Sequence, residues 1–135
     1  MGAAAPISVL IVDDQSMQRE GYRMVLEATR GIEVVGEAAD GAQALAFVRR
    51  TATDVVLMDI RMPRVNGFVA TERMLDDEQV RELGRAPGVV LVTALDLDDH
   101  IAAAASCGAY AVLYKDVAPE ALIDAIRGAA AQRGQ

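Results

Sequence analysis

The chain has 135 residues, 53% of them hydrophobic, and a formal net charge of −7. This length suits one domain with its own core, and the negative charge argues against nucleic-acid or membrane binding by this segment itself. Cys107 is the only cysteine and no basic, apolar leader opens the chain, so we expect no internal disulfide and a reducing, cytoplasmic location.

Five apolar runs predict the strands of one sheet. Four of them are rich in β-branched residues and continuous rather than alternating, as is typical of parallel strands covered on both faces. These four runs cover residues 8–12, 55–58, 89–92 and 111–114. The fifth run, residues 32–38, contains two glutamates, which suits a strand at the edge of the sheet.

Helical periodicity fills the intervals between the strands. Asp40 is placed to cap the second helix, Gly67 to open the third, and Pro119 to occupy the first turn of the last. Residues 76–87 have no clear pattern. The spacing predicts apolar stripes formed by Met17, Gly21, Val25 and Ala28 on the first helix, Gly41, Leu45 and Val48 on the second, and Leu122, Ile123, Ile126 and Ala130 on the last.

The fourth predicted helix, about residues 98–107, has the weakest apolar face. Ile101 is its only large aliphatic residue, so burial stabilises this helix less than its neighbours, and we expect it to be the mobile element. Its histidine, His100, is expected on a solvated face. The ends, residues 1–6 and 129–135, have the composition of frayed termini around a core of about residues 7–130.

The alternation of strands and helices predicts the fold class. A (βα)5 chain with short, right-handed connections forms an α/β doubly wound parallel sheet, here as one domain over residues 1–135. The ligand site of such a sheet lies at the carboxyl ends of its strands, where the strand order switches.

Polar residues follow four of the apolar runs, where a site of this kind is expected. Asp13 and Asp14 follow the first run, Asp59 the third, Thr93 the fourth and Lys115 the fifth. Converging carboxylates repel one another by about 4 kcal/mol per pair at ~4 Å and an effective dielectric of ~20, so they need a cation. Oxygen ligands favour a hard ion, and Mg2+ is the one that also bridges to phosphate.

These residue types suit phosphoryl transfer. The Asp59 carboxylate could attack phosphorus and form an acyl phosphate, while the Lys115 ammonium and the Thr93 hydroxyl meet the negative charge that spreads over the phosphoryl oxygens. Each residue also has a purely structural interpretation: helix cap for Asp13 and Asp14, turn former for Asp59, strand former for Thr93 and solvated charge for Lys115. Their coincidence on neighbouring strand ends favours the functional interpretation.

Several motifs occur here in the order found in one signalling family. They are Val12-Asp13-Asp14, Asp59-Ile60-Arg61-Met62-Pro63 with Gly67 following, Val92-Thr93-Ala94, and Gly108-Ala109 leading to Tyr114-Lys115-Asp116. Across nearly its whole length the chain resembles response-regulator receiver domains of two-component signalling. This resemblance implies the flavodoxin-like strand order 2-1-3-4-5.

The resemblance also implies a metal site. Asp14 and Asp59 would bind Mg2+ directly, together with the backbone carbonyl of Arg61, and Asp13 would act mainly through a metal-bound water. Asp59 would be the phosphoacceptor, and a sensor histidine kinase would be the phosphoryl donor. Such a domain is not an enzyme in the usual sense, since it catalyses only its own phosphorylation and dephosphorylation.

The phosphoryl contacts and the signal output follow from the same resemblance. Thr93 would bond one phosphoryl oxygen and Lys115 another, shifting the fourth helix and the fifth strand. Arg61 and Leu95 would influence how long the acyl phosphate survives. One position departs from the family, because Val112 stands where receivers usually carry the aromatic switch residue. We therefore expect a smaller shift on phosphorylation.

The wording of the motifs resembles the subgroup whose receivers precede a helix-turn-helix DNA-binding domain. No such output domain is present in this sequence, which fits an excised receiver better than a single-domain regulator. Transcriptional control would then belong to the parent protein. Receivers often pair through the face of the fourth helix, fifth strand and last helix, so a homodimer is a further expectation.

Other functions remain open at the level of sequence. Haloacid-dehalogenase-type phosphatases also use a nucleophilic Asp, but theirs closes the first strand and has a second Asp two residues on, whereas Gln15 and Ser16 follow the acidic pair here. A nucleotide-binding domain would need a glycine-rich phosphate loop after the first strand, which is missing. A phosphate-independent interaction module is the third alternative, supported only by Val112.

Overall fold

The computed structural model describes residues 5–84, 86–94, 98 and 100–133, with only the backbone of residue 133. Five strands and six helices lie within these residues. In chain order they are β1 (Ile7–Val12), α1 (Ser16–Glu27), β2 (Ile32–Ala38), α2 (Gly41–Arg50), β3 (Val55–Asp59), α3 (Gly67–Asp76), α4 (Glu78–Glu82), β4 (Gly88–Thr93), α5 (Ile101–Cys107), β5 (Ala111–Tyr114) and α6 (Pro119–Arg133).

The strands form one parallel sheet in the order β2-β1-β3-β4-β5, which confirms the predicted topology. The register pairs Asp59 with Val92 and Thr93 with Tyr114, so that β3, β4 and β5 end at the same edge. The strand order reverses between β1 and β3, and the carboxyl ends of these two strands therefore flank the crevice in which such folds bind ligands.

Alternate residues of the strands feed two apolar layers, one on each face of the sheet. Leu10, Val56 and Leu91 pack under α2, α3 and α5, whereas Val9 and Leu57 pack under α1 and α6. All of these side chains are at most 1% exposed. Each buried Leu or Val contributes about 1.5–3 kcal/mol, so the sheet supports the site as a rigid platform.

The predicted apolar stripe of α1 is wrong. Met17 is 81% exposed, whereas Tyr22 and Leu26 are the buried residues of this helix. The physical reason is area: the predicted stripe contains glycine and alanine, and turning the helix to bury an aromatic ring and a leucine removes more apolar surface from water. The stripes of α2 and α6 are predicted correctly, with Val48 and Ile126 among their buried members.

The predicted helix starts are confirmed. The Asp40 carboxylate caps α2 by accepting a hydrogen bond from the Gln43 amide. Gly67 begins α3, and Pro119 begins α6. The helix α6 continues to Arg133 and its Ala129 is 1% exposed, so the described part of this end is helical rather than frayed.

The segment without a clear pattern contains the short helix α4, which the sequence did not predict. Asp77 caps it, and Val80 is its buried residue. A single turn with one apolar residue leaves no periodicity to detect. The next helix, α5, begins at Ile101, which is 52% exposed, and packs through Ala104 and Cys107. Among the described residues, no helix is both long and apolar enough to cross a membrane.

Candidate functional site

The first part of the site follows β1. Asp13 is fully buried, and its Oδ1 accepts a hydrogen bond from the Gln15 amide at 2.9 Å. Asp14 is exposed. Gln15 is the N-cap residue of α1 and makes no side-chain capping bond, so neither aspartate caps this helix. The helix-cap interpretation of Asp13 and Asp14 is therefore wrong.

The second part is the end of β3. Asp59 is 3% exposed, and its Oδ1 accepts a hydrogen bond from the Arg61 amide at 3.2 Å. The first residue of α3, Gly67, lies against the backbone of Asp59, because a Cβ at this glycine would come within 2.7 Å of the Asp59 carbonyl oxygen. The start of α3 thus presses directly on the residue that presents the carboxylate, and only glycine allows this approach.

Lys115 joins the two acidic strand ends. Its Nζ lies 3.1 Å from Asp59 Oδ2 and 3.2 Å from Asp13 Oδ2, and its side chain is 17% exposed. Its backbone amide donates to the carbonyl of Thr93 at 2.9 Å, which fixes the end of β5 against the end of β4. Two buried carboxylates at the ends of two strands therefore share one ammonium group.

The carboxylates of Asp13, Asp14 and Asp59 can bring one oxygen each within 4.8 Å of one another. Asp13 Oδ2 is buried and accepts no hydrogen bond of good geometry from the described residues, although Lys115 Nζ is near. The oxygen donors and the net negative charge fit a hard divalent cation such as Mg2+. A cavity of about 510 Å³, lined in part by Asp14 and Arg61, leads to this cluster.

In this cluster the Asp13 and Asp59 carboxylates lie close together, and the positive group that contacts both is the ammonium of Lys115. Burial, and then the charge of Asp13, raise the pKa of Asp59 above its usual value, although Lys115 opposes this shift. Burial alone would lower the pKa of Lys115, but its contacts with Asp59 and Asp13 outweigh burial and raise that pKa. Lys115 therefore stays protonated at neutral pH and offers a fixed positive charge.

Thr93 and Val112 lie near the same edge, on β4 and β5. Thr93 is 1% exposed and closes β4 beside Asp59. Val112 is half-buried, pairs with Leu91 and packs against the layer under α3 and α5. Tyr114, two residues beyond Val112, is 42% exposed and does not take its inward place. Leu95 lies outside the described residues.

The histidine of this region has a contact that the sequence did not predict. The ring of His100 lies 5.6 Å from the ring of Phe68 on α3, between centroids, and both residues line the cavity that reaches Asp14. His100 is therefore half-buried at the mouth of the site rather than on a fully solvated face.

Two residues of α1 that the sequence analysis did not single out also approach the site. Arg19 Nη1 donates to the backbone carbonyl of Asp13 at 2.6 Å. The Tyr22 hydroxyl is buried without a hydrogen-bond partner among the described residues, and burial, followed by the charges of Asp13 and Asp59, raises its pKa. A cation near a helix N-terminus opposes the helix dipole, which is the one sequence signal that could have marked Arg19.

Comparison with known proteins assigns the family. The family described as response regulator receiver domain matches residues 9–127. The uncharacterized transcriptional regulatory protein YxjL of Bacillus subtilis is 38% identical over 124 residues, covering 92% of this chain and 54% of YxjL. The nitrate/nitrite response regulator protein NarP of Escherichia coli is 36% identical over 130 residues, covering 96% of this chain and 58% of NarP. The chain thus spans just over half the length of these curated relatives.

A solved structure agrees in both fold and sequence. The signal receiver domain of the response regulator NarL from Mycobacterium tuberculosis matches with a TM-score of 0.78 and 31% identity, over 93% of this chain and 99% of that domain. The order of the motifs, the strand order and the family match over most of the chain therefore all indicate the same family. On these grounds, the chain belongs to the response regulator receiver domains of two-component signalling.

Proposed function

We propose that this domain receives a phosphoryl group on Asp59 from a sensor histidine kinase. The carrying observation is the ammonium of Lys115, held at 3.1 Å from Asp59 and 3.2 Å from Asp13 inside the acidic cluster. In the transfer, a carboxylate oxygen of Asp59 forms the new bond to phosphorus, and the bond from phosphorus to the kinase histidine nitrogen breaks. The charge of Lys115 offsets the charge that spreads over the phosphoryl oxygens.

The metal ligands in this proposal are Asp14 and Asp59, with the backbone carbonyl of Arg61, while Asp13 acts through a metal-bound water. Held by these residues, Mg2+ would supply positive charge that offsets the negative charge of the phosphoryl group. Asp14 is exposed and lines the cavity, so its carboxylate is free to adjust to a bound ion, whereas the buried Asp13 is fixed by the Gln15 amide. This difference supports a direct role for Asp14 and an indirect one for Asp13.

Thr93 and Lys115 carry the signal from the site to the surface. Once Asp59 carries the phosphoryl group as an acyl phosphate, its oxygen no longer holds the full charge that attracts Lys115, so the ammonium and the Thr93 hydroxyl turn to the phosphoryl oxygens. Thr93 ends β4 and Lys115 follows β5, and both α5 and α6 contact β5, so we propose the face of α5, β5 and α6 as the output surface. A homodimer through this face is part of the proposal.

Val112 sets the size of this response in our proposal. A valine fills the inward position on β5 with less volume than an aromatic ring. The position of the Val112 side chain should therefore differ less between the unphosphorylated and phosphorylated forms. Amide NMR shifts with and without a phosphoryl mimic measure the response. Small changes over residues 95–115 are expected, and large ones would contradict this role of Val112.

The wider setting is also proposed. We infer a cytoplasmic domain of a longer regulator whose separate output domain binds DNA, since the relatives YxjL and NarP are named as regulators and this chain spans about half of each. The acidic domain itself, with a net charge of −7, would not contact the DNA. Residues 1–135 would then form one receiver unit.

The direct test is intact mass spectrometry after incubation with acetyl phosphate and Mg2+. We expect one labile phosphoryl adduct per chain, absent in Asp59→Asn and absent when the ion is chelated. Asp54→Asn is the matched control, because Asp54 is a carboxylate that immediately precedes β3, at the end of the strand away from Asp59, and its substitution should leave the adduct intact. Rapid turnover of many phosphoesters would instead indicate a phosphatase, and silence in both assays a phosphate-independent module.

A further inference from the structure

The Arg19 side chain reaches from α1 to the backbone of the acidic cluster. Its Nη1 donates to the carbonyl oxygen of Asp13 at 2.6 Å, and its Nε donates to Oε1 of Glu37 on β2 at 2.8 Å. The guanidinium is planar and its donors have fixed directions, so two partners hold it in one orientation. At 19% side-chain exposure, this contact is shielded from most of the solvent.

The carbonyl that Arg19 holds belongs to the peptide between Asp13 and Asp14. This peptide unit is planar, so fixing its oxygen restricts the direction in which both residues leave the backbone. Asp13 is further held by the Gln15 amide, whereas Asp14 is exposed. The orientation of this peptide therefore limits where the Asp14 carboxylate can reach.

Arg23 provides the natural comparison. It lies one turn further along α1 and donates from Nε to the other oxygen of Glu37, also at 2.8 Å, and to Glu27 at 3.3 Å. Its contacts with Glu37 resemble those of Arg19, but the carbonyl of Asp13 is bound by Arg19. Arg23, and then Arg19, hold the pKa of Glu37 below its usual value, so Glu37 is a charged anchor for both arginines at neutral pH.

We propose that Arg19 is a positioning residue of the metal site, which orients the Asp13–Asp14 peptide so that both carboxylates point into the cluster. This inference rests on the proposed function, in which these carboxylates bind Mg2+. It assigns Arg19 a task that its ion pair with Glu37 alone would not require.

The direction in which Mg2+ affinity changes when Arg19 is replaced distinguishes a positioning role from a purely electrostatic one. A cation close to the cluster repels Mg2+, so removing the charge of Arg19 would by Coulomb's law strengthen Mg2+ binding. Losing a group that orients the ligands has the opposite effect, and such supporting contacts typically contribute about 10-fold or more to metal affinity. A weaker affinity after the substitution therefore cannot come from the charge.

The experiment compares Mg2+ dissociation constants of the wild-type protein, Arg19→Gln, Arg23→Gln and Arg19→Lys by calorimetric titration. Both glutamine variants lose one positive charge and one contact with Glu37, which makes them matched. We expect Arg19→Gln to bind Mg2+ about 10-fold more weakly, Arg23→Gln to bind as the wild type does, and Arg19→Lys to recover part of the loss. Unfolding free energies measured with chelator present should fall by similar amounts in the two glutamine variants.

Backbone amide NMR shifts of the metal-free protein give a second measurement. Those of Asp14 and Gln15 should change in Arg19→Gln and stay constant in Arg23→Gln. Equal Mg2+ affinities in the two glutamine variants, or tighter binding in Arg19→Gln, would overturn the inference. Absence of Mg2+ binding by the wild type would count against the proposed function instead, and the metal-free amide shifts would still decide whether Arg19 orients the peptide.

Discussion

At the scale of single residues, the site depends on a direct contact between backbone atoms. Gly67 is the clearest case, because its Cα lies against the backbone of Asp59 and a Cβ there would also come within 3.0 Å of Ile60 Cα. Backbone atoms cannot move aside as a flexible side chain can. The position of the Asp59 carboxylate is therefore coupled to the absence of one methyl group.

Gly67→Ala should displace Asp59 and destabilise the fold. Overpacking of this kind costs about 1–3 kcal/mol of unfolding free energy, and the yield of the phosphoryl adduct should fall with it. Gly21→Ala is the control, since a Cβ at Gly21 meets nothing within 4 Å and replacing a helical glycine should stabilise α1 by roughly 0.8–1 kcal/mol. Chemical denaturation and intact mass measure both effects, and full adduct yield in Gly67→Ala would refute the coupling.

Tyr22 makes a second prediction at this scale. Its buried hydroxyl lacks a hydrogen-bond partner among the described residues, and leaving such a group unpaired costs about 1–3 kcal/mol. Tyr22→Phe keeps the ring in the core and should raise the unfolding free energy by about 1 kcal/mol. Tyr110→Phe, at a 42% exposed position, should change it by less than about 0.5 kcal/mol. A loss of stability in Tyr22→Phe would mean that the hydroxyl has a partner.

At the scale of elements, α5 and α6 flank β5 but are held very differently. α5 has seven residues and packs through Ala104 and Cys107, while its largest aliphatic side chain, Ile101, is 52% exposed. α6 has 15 residues and buries Leu122 and Ile126. The shorter helix can therefore shift at a lower cost than the longer one.

A pair of isoleucine substitutions measures this difference. Ile126→Ala leaves a cavity in the core and should cost about 2–5 kcal/mol of unfolding free energy. Ile101→Ala removes little buried surface and should stay within about 0.5 kcal/mol of the wild type. Urea denaturation of both variants provides the values. A cost of several kcal/mol for Ile101→Ala would show that α5 is anchored in the core.

At the scale of the whole molecule, the proposed Mg2+ site links metal to folding. A cation that binds the folded state alone stabilises it by about 2.7 kcal/mol at a free concentration of ~100 times its dissociation constant. The midpoint temperature of thermal unfolding should therefore rise when Mg2+ is added and fall back when a chelator is added. Asp14→Asn should lose most of this shift, and an undiminished shift in that variant would place the ion elsewhere.

Most of the fold could be predicted from the sequence because the central strands are continuous apolar runs, and their predicted bounds lie within one residue of those observed. The convergence of Asp13, Asp59 and Lys115 followed from the parallel sheet alone. The face of α1 was mispredicted because two stripes compete on that helix, and only the packed sheet decides between them. The approach of Gly67 to the site depends on tertiary contacts, which no local pattern contains, and for Arg19 the only local signal is its place near the start of a helix.

The edge position of β5 has a consequence for signalling. Asp13 follows β1 and Asp59 ends β3, two strands that are hydrogen-bonded on both sides, whereas Lys115 follows β5, which is paired only with β4 within the described sheet. Displacing the amine therefore disturbs a single ladder, while displacing either acid would disturb two. In the proposed reaction Asp59 can therefore keep its position while Lys115 moves, so that the displacement starts at the edge strand and leaves the central strands in place.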